Sequence, residues 1–221
     1  QKTLAGANYF HNLVINGTSA ASGAGYVPKT FDGLKKILAG KSTEMKTDVD
    51  ISTSAMMDSN YNALLDELDT FIALLAAKPD VLMMNSKMLT KVRAAARRAG
   101  YYDRSKNDFG NYVETYNGIV LMDAGQYYDG ASQKTDDVVS TTAPTESAYG
   151  TTDIYAAKLG LDAFHGISVD GSKMLKTYLP DLSAPGAVKK GEVELIAGAV
   201  LKNSKMAGKL SGIKILDKKA A

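Results

Sequence analysis

The sequence contains no cysteine and no tryptophan, only two histidines, and five prolines in 221 residues. Without cysteine there is neither a disulfide framework nor a thiolate metal site. His11 and His165 are far apart, and neither has a His or Cys at the few-residue spacing of a zinc site, which leaves them structural or surface roles. No apolar run approaches the roughly 20 residues that a membrane span requires. The opening Gln1-Lys2-Thr3-Leu4 has no apolar h-region, so no secretory signal is expected there, and the missing initiator methionine reads as processing or a fragment. Charge of one sign is also lacking: the net charge of +2 does not mark a dedicated nucleic-acid binder, although an even balance can conceal a one-sided patch.

Catalytic signatures are missing as well. Gly166-Ile167-Ser168-Val169-Asp170-Gly171 puts a serine between glycines without the G-x-S-x-G spacing of a nucleophile elbow, and reads as a turn. Gly23-Ala24-Gly25 lacks the third glycine and the βαβ placement of a dinucleotide fingerprint, and no P-loop occurs. Asp66 and Asp69 share a helical face, but it is the polar face of an amphipathic helix. No constellation for catalysis, cofactor or metal emerges, and the chain is expected not to be an enzyme.

What is present centres on residues 58–99. Over 60–77, Leu64, Leu65, Leu68, Phe71, Ile72 and Leu75 recur on one face of an α-helix. Asp58 or Ser59 is expected to cap it, and Lys78-Pro79-Asp80 to stop it. Val81-Leu82-Met83-Met84 then reads as a short buried strand. Ser86 is the expected cap of a second helix with Met88, Val92, Ala95 and Ala99 as its apolar stripe, and Gly100 ends that helix in the left-handed conformation glycine tolerates best. Downstream, residues 112–122 form a hairpin signature, with Asn117-Gly118 supplying the two positive φ angles of a type I′ turn.

Around this core the signals are weaker. Leu4, Ala7, Phe10 (or His11) and Val14 suggest the last turns of a helix ending at Asn16-Gly17. Residues 18–25 read as a flexible connector and 31–38 as the start of a short amphipathic turn or helix. An edge strand is expected within 41–53. Residues 129–153 are rich in small and polar side chains and read as a long, poorly ordered loop. Strands are expected at 154–159, 161–167, 174–179 and 192–201, the last with a glycine bulge, and a short final one at 211–215. Two features look like interaction surface. Tyr101, Tyr102, Tyr127 and Tyr128 come in pairs near turns, where an amphipathic ring suits an interface. The second helix is basic, and Arg93, Arg97, Arg98 and Arg104 are candidate contacts to DNA phosphates or to a neighbouring subunit, with a solvated face at a helix C-terminus as the plainer reading.

The order LLDELDTFIALLAAKPDVLMMNSKMLTKVRAAARRAG, FGNYVETYNGIVLMDAG and DIYAAKLGLDAFHGIS, preceded by FHNLVING and FDGLKKIL, resembles the major capsid proteins of tailed bacteriophages. These are patterns of packing and turns. The resemblance implies an α/β chain of mixed α+β character: a capsid-type plate with an axial α/β lobe and a peripheral lobe that carries the end of a spine helix and an elongated sheet. On that mapping residues 1–57 are peripheral lobe and connector, 58–153 the axial lobe, and 154–221 strands linking the two. The implied function is that of a structural subunit of an icosahedral phage-like capsid in the virion, assembled in the bacterial cytoplasm around double-stranded DNA bound non-specifically. Its implied partners are other copies of itself, with scaffolding and portal proteins, and no membrane. Two departures stand out. The N-terminal arm and extended loop of the family have no counterpart ahead of the spine helix, so assembly by this stretch alone is not expected, and residues 192–201 lack a large aromatic. The alternatives are an encapsulin-like compartment shell, or a small α/β enzyme or ligand-binding domain without a recognisable motif.

Overall fold

The computed structural model describes residues 2–19, 30–100, 103–106, 112–129, 133–169, 175–180, 183, 188 and 190–219. In chain order the elements are α1 (Lys2–Asn16), α2 (Leu34–Ile37), β1 (Glu44–Lys46), α3 (Ser54–Ala73), β2 (Val81–Met84), α4 (Ser86–Ala99), β3 (Asp103–Lys106), β4 (Tyr112–Tyr116), β5 (Ile119–Asp123), β6 (Gln126–Asp129), β7 (Lys134–Asp137), β8 (Gly150–Ala157), β9 (Phe164–Ile167), β10 (Leu175–Tyr178), β11 (Glu192–Leu195), β12 (Gly198–Leu201) and β13 (Ala207–Leu216). It is a mixed α+β fold.

A seven-stranded mixed sheet in the order β1-β13-β8-β2-β5-β4-β3 organises the molecule. The pairs β1–β13 and β2–β5 are parallel and the others antiparallel. Both faces of its centre are covered, which is why β2 reads as an unbroken apolar run. Leu82 and Met84 point to one face, with Ile154 and Ala156 of β8 and Leu210 of β13, and are covered by Leu64, Leu68 and Phe71 of α3 and Met88, Val92 and Ala95 of α4. Val81, Met83, Tyr155 and Ala157 point to the other, where Ile15 of α1, Leu34, Leu38, Val138 and Val139 cover them.

The two central helices, the strand between them and the hairpin turn stand as the sequence predicts. Asn117 and Gly118 have φ of 50° and 71°, as a type I′ turn demands. The caps differ. α3 begins at Ser54, because Thr53 rather than Asp58 or Ser59 accepts the Met56 N–H. It ends at Ala73, well before Pro79: the Ala76 N–H turns away to the carbonyl of Lys205. Asn85, not Ser86, caps α4 by accepting the Met88 N–H at 2.8 Å.

Three other expectations need correction. Residues 133–153 are not a poorly ordered loop. β7 completes a hairpin with β6, Val138 and Val139 are buried, and the Thr142 N–H bonds the Thr151 carbonyl at the approach to β8. Composition misleads here because two buried valines and backbone pairing suffice as anchors. The strand expected over 192–201 is two strands in different small sheets, β11 beside β10 and β12 beside β9. The short final strand is ten residues long and lies between β1 and β8.

Candidate assembly surface

The basic helix is largely committed to its own subunit. Arg93 pairs with Glu114 of β4, and Arg98 with Asp58 of α3 at 2.6 Å. The Lys91 ammonium donates to the carbonyls of Ile51 and Ser52 at 2.7 and 2.9 Å. Burial, with the nearby Arg98 charge, holds its pKa below the usual lysine value. Lys87 lies 3.6 Å from Asp137. Arg97 is exposed and has no ion-pair partner among the described residues. Arg104 sits in β3 opposite Glu114 in register, and its side chain lies outside the described residues. Arg97 and Arg98 lie in the last turn of α4, Arg93 lies about one turn earlier, and Arg104 lies on β3; two of the four already face carboxylates.

The carboxylates of α3 serve the fold as well. Asp69 accepts the Tyr116 hydroxyl at 2.9 Å, and Asp66 is exposed. Elsewhere Lys209 of β13 bridges Glu44 of β1 and Asp153 of β8 at 3.3 and 3.4 Å, fastening three adjacent strands. The N–H of Gly40 holds the Glu44 pKa down, against the opposing effect of burial and with the help of Lys209. Among the described residues no group of three or more His, Asp or Glu could hold a metal ion, and no helix is long and apolar enough to cross a membrane. His11 donates its Nε2–H to the main-chain carbonyl of Ala124.

The surface that stands out is apolar. Leu161, Val169, Leu179 and Val188 are each 77–84% exposed, and Leu159, Ile167, Tyr178 and Ile196 join them from the same part of the chain. On α1, which packs beside β11, Leu4 and Tyr9 are exposed as well. Single exposed apolar residues are ordinary, but eight of them fall within residues 159–196, in or beside the strands of two small sheets. Sequence reasoning did not single them out, because these residues follow neither helical nor strand periodicity. Tyr128 is 60% exposed, Tyr127 packs against the core, and Tyr101 and Tyr102 lie outside the described residues.

No protein-family model matches the sequence, and no curated protein matches it. Solved structures do. A chain of the holo-SrpI encapsulin complex from Synechococcus elongatus PCC 7942 matches with a TM-score of 0.59 at 15% identity, over 86% of this chain and 59% of that one. This chain shares the fold of an encapsulin. The chain spans about three-fifths of the encapsulin's length. A protein assigned as the capsid protein of a prophage in Escherichia coli CFT073 is similar over 68% of this chain and 46% of that one, at 13% identity and a TM-score of 0.41.

Proposed function

We propose that the chain is a structural subunit of an icosahedral phage-like capsid, which self-assembles into a shell around double-stranded DNA. The observation that carries this reading is the likeness to an encapsulin across 86% of the chain, together with an exposed apolar surface that a lone subunit leaves uncovered. In this reading residues 58–153 form the axial lobe, and 1–57 and 154–221 form the periphery and the strands that join it. Assembly proceeds through many modest contacts summed over a closed lattice. Arg93, Arg97, Arg98 and Arg104 mark a contact to a neighbouring subunit or to packaged DNA, with Arg97 the member whose charge is uncompensated among the described residues. Scaffolding and portal proteins are the further partners, and the virion is the destination.

A compartment shell with protein cargo is the second reading, favoured by the fact that the matched structure is an encapsulin. Particles isolated from the native host by density gradient, treated with nuclease and viewed by negative-stain microscopy distinguish the two. Closed shells holding nuclease-protected duplex DNA are expected. Closed shells with protein and no DNA would favour the compartment, and the lack of any particle containing this chain would overturn both.

A further inference from the structure

One end of the seven-stranded sheet gathers five short connections. β1, β2, β5 and β13 begin there and β8 ends there, because Val81 faces Val120 and Ala157 in register, Ala157 faces Ala207, and Glu44 faces Lys209. The connections are residues 38–43, 74–80, 117–118, 158–163 and 202–206. Hydrogen bonds tie them into one surface. The Ala76 N–H donates to the Lys205 carbonyl at 2.9 Å, the Lys158 N–H to the Met206 carbonyl at 2.8 Å, and the Lys202 N–H to the Ala163 carbonyl at 3.1 Å. The Thr43 hydroxyl donates to the Ser204 carbonyl at 3.2 Å, and the Leu159 N–H to the Asp80 carboxylate at 2.9 Å. Lys78 reaches the fifth connection, since a Cβ on Gly118 would lie 3.0 Å from its Nζ. A surface already held in place loses little freedom when a partner binds.

The composition of this surface is one-sided. Its connections carry Lys41, Lys78, Lys158, Lys202 and Lys205 against two acidic residues, Asp80 and Asp162. Asp80 is already bonded to Lys158 at 2.6 Å. Lys41, Lys78, Lys202 and Lys205 are exposed and have no ion-pair partner among the described residues. Like charges held near one another in this way attract an anionic partner. The same connections also expose Leu74, Leu159 and Leu161, the last at 77%. Cations and apolar side chains therefore share one surface, assembled from residues that no single stretch of sequence brings together.

We propose that this end of the sheet docks an acidic polypeptide segment of another protein, whose carboxylates meet the four lysines and whose apolar side chains cover the three leucines. Charge complementarity calls for an anion, and the leucines call for one with apolar groups of its own. Asp162 decides against a phosphate surface. It is exposed and directly follows Leu161, so covering that leucine with duplex DNA or an anionic membrane presses a carboxylate against phosphates. A polypeptide can instead meet Asp162 with one of its own N–H groups. Two copies joined through this same face would set lysine against lysine. The inference goes beyond the shell reading, because it stands on a single chain and needs no closed lattice.

The probe is a labelled synthetic peptide in which leucine recurs every third or fourth residue among glutamates, titrated with the full chain and followed by fluorescence anisotropy. Lys202→Glu with Lys205→Glu removes the charge, and Leu159→Ser with Leu161→Ser removes the apolar cover. Lys218→Glu with Lys219→Glu is the control, making the same change of charge beyond the far end of β13. Wild type and control are expected to bind saturably. The other two variants are expected to bind at least about tenfold more weakly, with unchanged circular dichroism, and salt is expected to weaken the wild type. A peptide with serine in place of leucine is expected to bind the wild type at least about tenfold more weakly, a test that needs no variant. Absence of saturable binding, equal loss in the control, or equal affinity for the serine peptide would overturn the proposal. So would tighter binding to duplex DNA or to phosphatidylserine vesicles, or self-association of the wild type that the Lys202 and Lys205 reversals abolish. None of these results bears on whether particles form, so the shell reading stands or falls separately.

Discussion

Gly33 donates its backbone N–H to the carbonyl of Gly17 at 2.8 Å, and neither residue has room for a side chain. A Cβ on Gly33 would lie 2.6 Å from the carbonyl oxygens of both Ile15 and Leu13, and one on Gly17 would meet the carbonyls of Phe31 and Leu13. The pair lets the end of α1 lie directly on the segment that leads into α2, which brings Ile15 and Leu34 into one buried cluster. Gly33→Ala must push backbone against backbone, and is expected to cost about 1–3 kcal/mol. Urea unfolding followed by circular dichroism measures it, and an unchanged midpoint would contradict the close approach.

Asn85 is a fully buried polar hub. Its carbonyl oxygen caps α4, while its amide donates to the Val139 carbonyl and to the hydroxyls of Thr141 and Thr152 at 2.9–3.0 Å. Loss of the cap and stranding of buried partners make Asn85→Ala cost roughly 2–4 kcal/mol. Asn85→Asp keeps the cap acceptor but loses the donors and buries a charge, so its stability deficit is expected to shrink as the pH falls and the new carboxyl is protonated. Unfolding curves for both variants at two pH values check this.

Acid sensitivity follows from three carboxylates. The Lys36 ammonium, with the Ser19 N–H and hydroxyl, pulls the Asp32 pKa from 3.8 to about 2. At Asp80 burial pushes upward, but bonds from Lys158 and the Leu159 N–H outweigh it and the pKa falls. Glu44 is lowered as well. A carboxylate with a depressed folded pKa contributes its stability above the unfolded value, and loses it as pH falls through the folded one. For Asp32 that window runs from 3.8 down to about 2. The Tm of the wild type should therefore drop across this range, and Asp32→Asn should show a shallower drop in thermal melts scanned against pH.

The ion pairs of α4 predict how dispersed subunits treat DNA. With Arg93 and Arg98 already facing Glu114 and Asp58, the dispersed chain is expected not to retard a DNA duplex, even at low salt. Replacing both carboxylates by alanine releases the arginines and should produce retardation that is independent of sequence and declines steeply with salt. Gel shifts across a salt series decide it; strong wild-type binding would mean that other cations dominate.

Much of the fold is legible in local patterns, because α3, α4, β2 and the β4–β5 turn are specified by residues a few positions apart. β13 is not. Its segment Ala207-Gly208-Lys209-Leu210-Ser211-Gly212 is dense in small and polar residues, and its pairing with β8 shifts register between Leu210 and Ile213, so no alternation survives to be read. Its burial depends on Phe71, Leu82 and Ile154, far away in the chain. The candidate surface divides in the same way. The arginines announce themselves by charge, whereas Glu114 and Asp58, 21 and 40 residues from their partners, become partners only once the sheet and helices have packed. Asn85 beside Ser86 offers two adjacent caps, and only the positions of Val139, Thr141 and Thr152 choose between them.

The place of β13 in the sheet also bears on synthesis. It lies between β1 and β8, yet it leaves the ribosome after every other strand of that sheet, and its partner Glu44 precedes Lys209 by most of the chain. Until it emerges, β1 has no neighbour, β8 has an open edge, and the apolar faces of Phe71 and Leu75 lack part of their cover. Such long-range pairing is slow to form and exposes aggregation-prone surface while it waits. A nascent chain interrupted before residue 207 would thus be left with an unfinished sheet, a substrate for chaperones and proteases, and few such remnants would persist to compete with finished chains.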